Sequence, residues 1–207
     1  MRIIAPSFSI KGNIDGRQIL KNIEEAGRIC YKSEHLIDDD SAEKFVSRIL
    51  KSGHESVIEH EKITAHVVCD RGVTHEIVRH RIASYSQEST RYCNYSKDKF
   101  DGEITFIRPF FWEEDSDQYK LWLETMGQIE SAYMKMIELG AKPEQARSIL
   151  PNSLKTEIIM TMNIREWRHF FKLRTHAASH PQMRELACPM LDHFKTVVPV
   201  VFDDINY

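Results

Sequence analysis

Two alternating stretches constrain this chain most. Residues 63–69 read Ile-Thr-Ala-His-Val-Val-Cys, and residues 155–162 read Lys-Thr-Glu-Ile-Ile-Met-Thr-Met. Alternation with β-branched residues is the pattern of a strand with one buried face. Elsewhere the apolar spacing is helical. Ile19, Leu20, Ile23, Ala26 and Cys30 place a helix over 17–31, and Phe45, Val46, Ile49 and Leu50 place another over 41–52. Asp40 and Glu43 form a capping-box variant at the start of the second, and Gly53 ends it. A third, short helix covers 71–81, with Val73, Ile77 and Val78 inward. The longest runs over 117–139, its face carrying Tyr119, Trp122, Met126, Ile129 and Tyr133, with Gly140 beyond it.

Pro143 opens a further helix that stops before Pro151. Asn163 caps the next, with Glu166 at its third position and Ile164, Trp167, Phe170 and Phe171 inward. Pro181 starts the last, with Met183, Leu186, Ala187, Met190 and Phe194 inward and Pro189 inside it. Residues 2–9, 92–95 and 104–107 read as further extended segments, 53–60 as a polar loop and 97–102 as a connection. No repeat and no Gly/Ser or Pro linker divides the 207 residues, so one α+β domain over 1–207 is expected.

Hydrophobic content of 42% and charged content of 29% are those of a globular protein. The net charge of −3 argues against a general nucleic-acid binder, which carries a basic excess. The first six residues lack the apolar run of a signal peptide, and no run reaches the length of a membrane span. The expectation is a soluble, cytoplasmic protein that engages neither nucleic acid nor membrane.

Against that acidic balance, residues 79–91 (Arg-His-Arg-Ile-Ala-Ser-Tyr-Ser-Gln-Glu-Ser-Thr-Arg) gather three arginines, a histidine and three serines without glycine or proline. The guanidinium fork suits carboxylate and phosphate, so the stretch reads as an anion site. A simpler account is a basic helix end, where cations complement the dipole. That covers Arg79, His80 and Arg81 but not the ordered Ser84, Ser89 and Arg91 beyond.

What is missing narrows the chemistry. There is neither GxGxxG nor GxxxxGK[ST], so phosphorylated ligands must be held by side chains. The four cysteines, Cys30, Cys69, Cys93 and Cys188, show no CxxC spacing. Cys188 precedes Pro189 on a helix face expected to be buried, a poor setting for a reactive thiolate. His54 and His60, or His176 and His180, lack the partners of a recognisable zinc site, so no metal is expected. Without a nucleophile or metal motif, a cofactor should carry the reaction.

The pattern RHR-x2-S-x4-S-x-R, met by Arg79-His80-Arg81, Ser84, Ser89 and Arg91, resembles the signature of the flavin-dependent thymidylate synthases, the ThyX family. Other blocks resemble the family in order along the chain: His54-Glu55-Ser56 with Glu59-His60; Glu144, Ala146, Arg147 and Leu150-Pro151; Asn163 and Arg165 with Leu173-Arg174; and Arg184-Glu185-Leu186. The resemblance implies a ThyX-like α+β fold with a mainly antiparallel sheet packed by helices. It implies methylation of dUMP to dTMP, with methylenetetrahydrofolate as carbon donor, NADPH-reduced FAD as hydride source and no cysteine nucleophile. It also implies a homotetramer with shared active sites.

Carried over, FAD would be held by His54, Ser56, Arg79, His80, Arg81, Asn163, Arg165 and His169, with His180 a second candidate for the late flavin histidine. The nucleotide dUMP would be held by Glu76, Gln87, Ser89, Arg91, Arg147 and Arg174. Arg174 and Ser89 would stand at the reacting ring, Arg174 stabilising negative charge there. The chain departs from the family pattern at Gln87, Ser86 and Glu76, where members carry glutamate, asparagine and glutamine. Two other readings predict different behaviour. A single-strand-binding domain would stack bases on Tyr85, Tyr92 and Tyr95, and a metal-dependent hydrolase would use the histidines.

Overall fold

The computed structural model describes residues 1–207, apart from the side chain of Lys99. In chain order the elements are strands β1 (Arg2–Ile4) and β2 (Ser7–Ile10), helices α1 (Gly16–Tyr31) and α2 (Ser41–Lys51), strand β3 (Lys62–Asp70), helix α3 (Arg71–Ile77), strands β4 (Ala83–Gln87) and β5 (Thr105–Ile107), helices α4 (Asp117–Glu138) and α5 (Pro143–Ala146), strand β6 (Lys155–Asn163), and helices α6 (Ile164–Arg174), α7 (Pro181–Val197) and α8 (Pro199–Phe202). The architecture is α+β, with a mainly antiparallel sheet. Four strands lie in the order β2-β3-β6-β4, and a separate parallel pair joins β1 to β5, with Ile3 opposite Phe106.

The two alternating stretches form the strands expected of them. Ile63, Ala65, Val67 and Cys69 turn inward on β3, and Thr156, Ile158, Met160 and Met162 on β6. Helix α1 begins where the Asp15 carboxylate accepts from Gln18 N, and ends where Lys32 turns left-handed. Helix α2 is found where its apolar stripe puts it, but Asp40 makes no side-chain cap, because its backbone (φ −120°, ψ 4°) does not aim the carboxylate at the helix. The Asp38 carboxylate instead accepts from Asp40 N. Residues 53–60 do not form an open loop: Glu55–His60 is a 3₁₀ turn that buries Ile58. The N-terminal segment is two strands broken at Ala5-Pro6, and 92–95 is turned, with Tyr92 N and Cys93 N both donating to Ser89 O.

The chain groups into two compact units, the first of residues 1–7, 67–79 and 86–158 and the second of residues 8–66, 80–85 and 159–207. The first has a core of Ile104, Phe106, Met126, Tyr133, Ala146 and Leu154, with Tyr95 against Tyr133. The second is centred on α6, where Trp167 and Phe171 meet Phe194 of α7, Phe171 also meets Phe202 of α8, and Phe170 packs edge-on against Trp167 and Phe171. Trp167 also donates its indole N–H to Ile63 O of β3, at 3.0 Å. That anchor fixes which side chains α6 presents.

Candidate active site

In the first unit, α3 stops at Ile77, so Arg79 lies past the helix end rather than in its last turn. Val78 is correspondingly 41% exposed instead of inward. From β4, the Gln87 amide donates to the hydroxyls of Thr74 (3.1 Å) and Thr156 (3.3 Å), which fixes its direction. Ser89 sits in the following turn, its Oγ accepting from Arg91 N at 3.3 Å. The Arg91 guanidinium lies 5.4 Å from the Tyr92 ring centroid. Arg147, just after α5, donates to the Thr90 hydroxyl at 3.4 Å. Arg79, Arg91 and Arg147 are exposed and make no ion pair among the described residues. Glu76 is half-buried on α3.

The second unit holds His54, Ser56, His80, Arg81, Asn163, Arg165, His169 and Arg174. His54, Ser56, Arg81 and His169 are exposed, and His54 meets the Tyr31 hydroxyl at 3.4 Å. Asn163 caps α6 as expected, accepting from Glu166 N at 2.8 Å. The Glu166 carboxylate does not close a capping box. It faces His80, with 2.9 Å between Oε1 and the ring Nδ1. On the other side of the ring, Arg174 Nε donates to His80 Nε2 at 3.1 Å. Burial lowers the pKa of His80 below the usual imidazole value, and the Arg174 charge adds to that, while the Glu166 carboxylate opposes it. Arg165 is held by Glu59 at 2.5 Å and Glu55 at 3.6 Å. A cavity of about 420 Å³ lies here, lined by Glu55, Glu59, Asn163, Arg165, Glu166 and His169 among others.

The expected site residues therefore fall in two clusters. Glu76, Arg79, Gln87, Ser89, Arg91 and Arg147 are in the first unit, and the remainder in the second. The sequence missed Thr74 and Thr156, which orient Gln87, and gave Glu166 only a capping role. No local spacing signals a partner 86 positions away.

Three groups, His80, Glu166 and His169, bring ligand atoms within 4.8 Å of one another. Nδ1 of His80 is taken by the carboxylate and Nε2 by the guanidinium, so a cation would have to displace a fixed positive charge. The donor set does not favour a metal. His176 instead accepts from Ala178 N, and His180 from Gln182 N at the start of α7. Of the three tyrosines considered for base stacking, Tyr95 is core and Tyr85 donates to His80 O at 2.7 Å. Only Tyr92, at 75% exposure, is an open ring.

The fold is that of a known enzyme class. Residues 16–200 match the family model described as thymidylate synthase complementing protein, and the chain belongs to that family. Among its relatives is the flavin-dependent thymidylate synthase of Pyrococcus furiosus, 42% identical over 180 residues that span 84% of this chain and 73% of that protein. The flavin-dependent thymidylate synthase of Geobacter sulfurreducens is 36% identical over 188 residues, 86% of this chain and 78% of that protein. A crystal structure of a UMP/dUMP methylase from Streptomyces cacaoi, bound with 5-Br dUMP, shares the fold with a TM-score of 0.76. It covers 98% of this chain and 96% of that one at 23% identity.

Proposed function

We propose that this chain is a flavin-dependent thymidylate synthase that methylates dUMP to dTMP, with methylenetetrahydrofolate as carbon donor and NADPH as reductant. The observation that carries the reading is the state of the motif arginines. Arg79, Arg81, Arg91 and Arg147 are exposed and unpaired with any carboxylate among the described residues, in a chain that is acidic overall. Elsewhere the same residue type is neutralised, as in Arg28 with Glu24 and Arg168 with Asp204, and among the expected site arginines Arg165 is paired with Glu59. Cations left without partners at motif positions suit ligands that bring their own phosphates.

In this reading Arg91 and Arg147 hold the dUMP phosphate, and Gln87 and Ser89 orient the nucleotide. Arg174 faces the pyrimidine and stabilises negative charge as it develops. Ser89 positions the substrate at the reacting ring. Glu76 stands near the phosphate as the weakest member of the set, since a carboxylate there repels the ligand. Arg79, Arg81, His54, Ser56, Asn163, Arg165 and His169 would hold FAD, with His180 as an alternative to His169; His80, also expected at FAD, has its ring nitrogens on Glu166 and Arg174 and so does not offer them to it. The cavity beside Asn163, Arg165 and His169 offers an amide, a guanidinium and an imidazole to such a group, with Arg165 exchanging its pairs to Glu55 and Glu59 for the ligand's phosphates. When bound and reduced, FAD supplies the hydride.

A thiolate nucleophile is disfavoured at Cys69 and Cys188. Burial pushes the Cys69 thiol far up, and burial also raises Cys188. The family match over 16–200 supports one functional domain spanning the chain. Completion of each site by other subunits of a homotetramer would bring further charge to the ligands. Among the described residues no helix is long and apolar enough to cross a membrane; a cytoplasmic location is part of the proposal.

The test is the visible spectrum of the protein after addition of FAD and desalting, followed by NADPH-driven conversion of dUMP. A retained flavin spectrum and dTMP formed only with methylenetetrahydrofolate are expected. Absence of flavin, with salt-dependent oligonucleotide binding in its place, would overturn the reading.

A further inference from the structure

Within Arg79-His80-Arg81 the side chains alternate exposed, buried, exposed. His80 is 3% exposed and sits edge-on to Phe170, with ring centroids 5.0 Å apart. Both of its nitrogens are engaged inside the second unit. Arginine Nε always carries its hydrogen, so Nε2 of His80 must be the acceptor. The ring proton therefore sits on Nδ1 and is donated to Glu166 Oε1. The carboxylate is buried too, and the Asn163 cap holds its backbone in place.

We infer that Glu166 is a positioning residue for the reaction. By accepting Nδ1–H it keeps the Nε2 lone pair of His80 available to Arg174 Nε, and so fixes the plane in which that guanidinium meets its ligand. The inference rests on the role given to Arg174 above. It makes His80 a relay between a carboxylate and the catalytic arginine, with both of its nitrogens engaged within the protein. Without Glu166 the imidazole can place its proton on Nε2, where it opposes the Arg174 N–H. Metal-bound histidines are oriented by the same kind of outer carboxylate. Here an arginine stands in the place of the metal.

The test uses the full chain with FAD added, as wild type, Glu166→Gln and Glu166→Ala. Nitrogen NMR of histidine-labelled protein, with the His80 signals identified by their loss in His80→Asn, reads the tautomer directly. Wild type should show neutral His80 protonated at Nδ1. Glu166→Ala should lose that preference, and Glu166→Gln, whose amide oxygen still accepts, should keep it. In parallel, kcat for dTMP formation should fall about 100-fold in Glu166→Ala, the order of loss for an ångström-scale misplacement of a catalytic group. Glu166→Gln should stay within about tenfold of wild type, and flavin affinity should change little in either variant.

An Nε2-protonated wild-type ring would overturn the inference, whatever reaction the enzyme performs. So would a Glu166→Ala enzyme within twofold of wild type. If Glu166→Ala does not fold, Glu166→Met, which fills the same space without an acceptor, is read in its place by the same tautomer and kcat measurements, with the same outcomes expected and excluded. A wild type with the expected tautomer that forms no dTMP would overturn the proposed activity instead.

Discussion

Arg168 lays its two terminal nitrogens on the two carboxylate oxygens of Asp204, each at 2.7 Å. The pair ties the C-terminal segment to α6. The Arg168 side chain is 4% exposed and that of Asp204 56%, so only the cation is fully desolvated. The same guanidinium also donates to Val201 O. Asp204→Asn should therefore lower unfolding stability by about 1–3 kcal/mol, the order for a hydrogen bond to a charged group. Solvent at Asp204 keeps the effect below that of a fully buried pair. Urea denaturation at neutral pH measures it, and an unchanged midpoint would show that Val201 O and the Glu55 carboxylate, 3.7 Å from Nε, satisfy Arg168 without Asp204.

A second prediction concerns Gly27, in the middle of α1. A Cβ there would stand 2.5 Å from two atoms of the Phe45 ring and 3.2 Å from Val57 Cγ1. Alanine is the better helix former by about 1 kcal/mol. Overpacking costs about 1–3 kcal/mol, and Phe45 is itself buried with Arg28 over its ring at 4.8 Å, so it cannot swing away. Gly27→Ala should lower the melting temperature. A rise would mean that Phe45 relocates and the propensity gain prevails.

The elements were legible wherever a period ran long enough. Helix α4, the inward face of α6 and the alternation of β3 and β6 all follow from spacing, because burial repeats at 3.6 or 2 residues. Reading failed where the period stops. Val78 continues the apolar spacing of α3, yet the helix ends at Ile77 and the next residue no longer shares its face. Tyr92 and Tyr95 look like strand residues, but Ser89 O accepts two backbone N–H groups and turns the chain. At the site, residue types were legible from the motif, while their partners were not. Gln87 with Thr74 and Thr156, and His80 with Glu166, are pairs made by folding, with nothing local to announce them.

The nucleotide reading predicts different outcomes for arginines of different duty. Arg91→Ala should weaken dUMP binding by about 2–5 kcal/mol, the range for removing one partner of a desolvated charge pair. Titration calorimetry reads it, and unchanged affinity would remove Arg91 from the phosphate site. Arg174→Lys should lose most turnover while still binding nucleotide, because an ammonium cannot use Nε to seat itself on His80 and still present a planar fork. A near-normal rate would contradict the assigned role.

Acid should destabilise the fold through His80. Burial holds its pKa below the ordinary value of 6.5, helped by Arg174 and the nearby imidazole of His169 and opposed by Glu166. Tyr85, whose hydroxyl donates to His80 O, is pushed up by burial and stays neutral throughout. Between the folded and unfolded pKa values the unfolded chain binds the proton and the folded one does not. Stability therefore rises with pH across that window. It should be fully present above about pH 6.5, the unfolded imidazole value, and fall progressively as the pH drops toward the folded value. Urea midpoints at pH 7.5 and 5.5 should show the decline in wild type. Glu166→Gln removes the opposing carboxylate charge and keeps an acceptor on Nδ1–H, so it should widen the window and steepen the acid loss. A shallower loss in that variant would mean that the His80 proton is governed by groups other than Glu166 and Arg174.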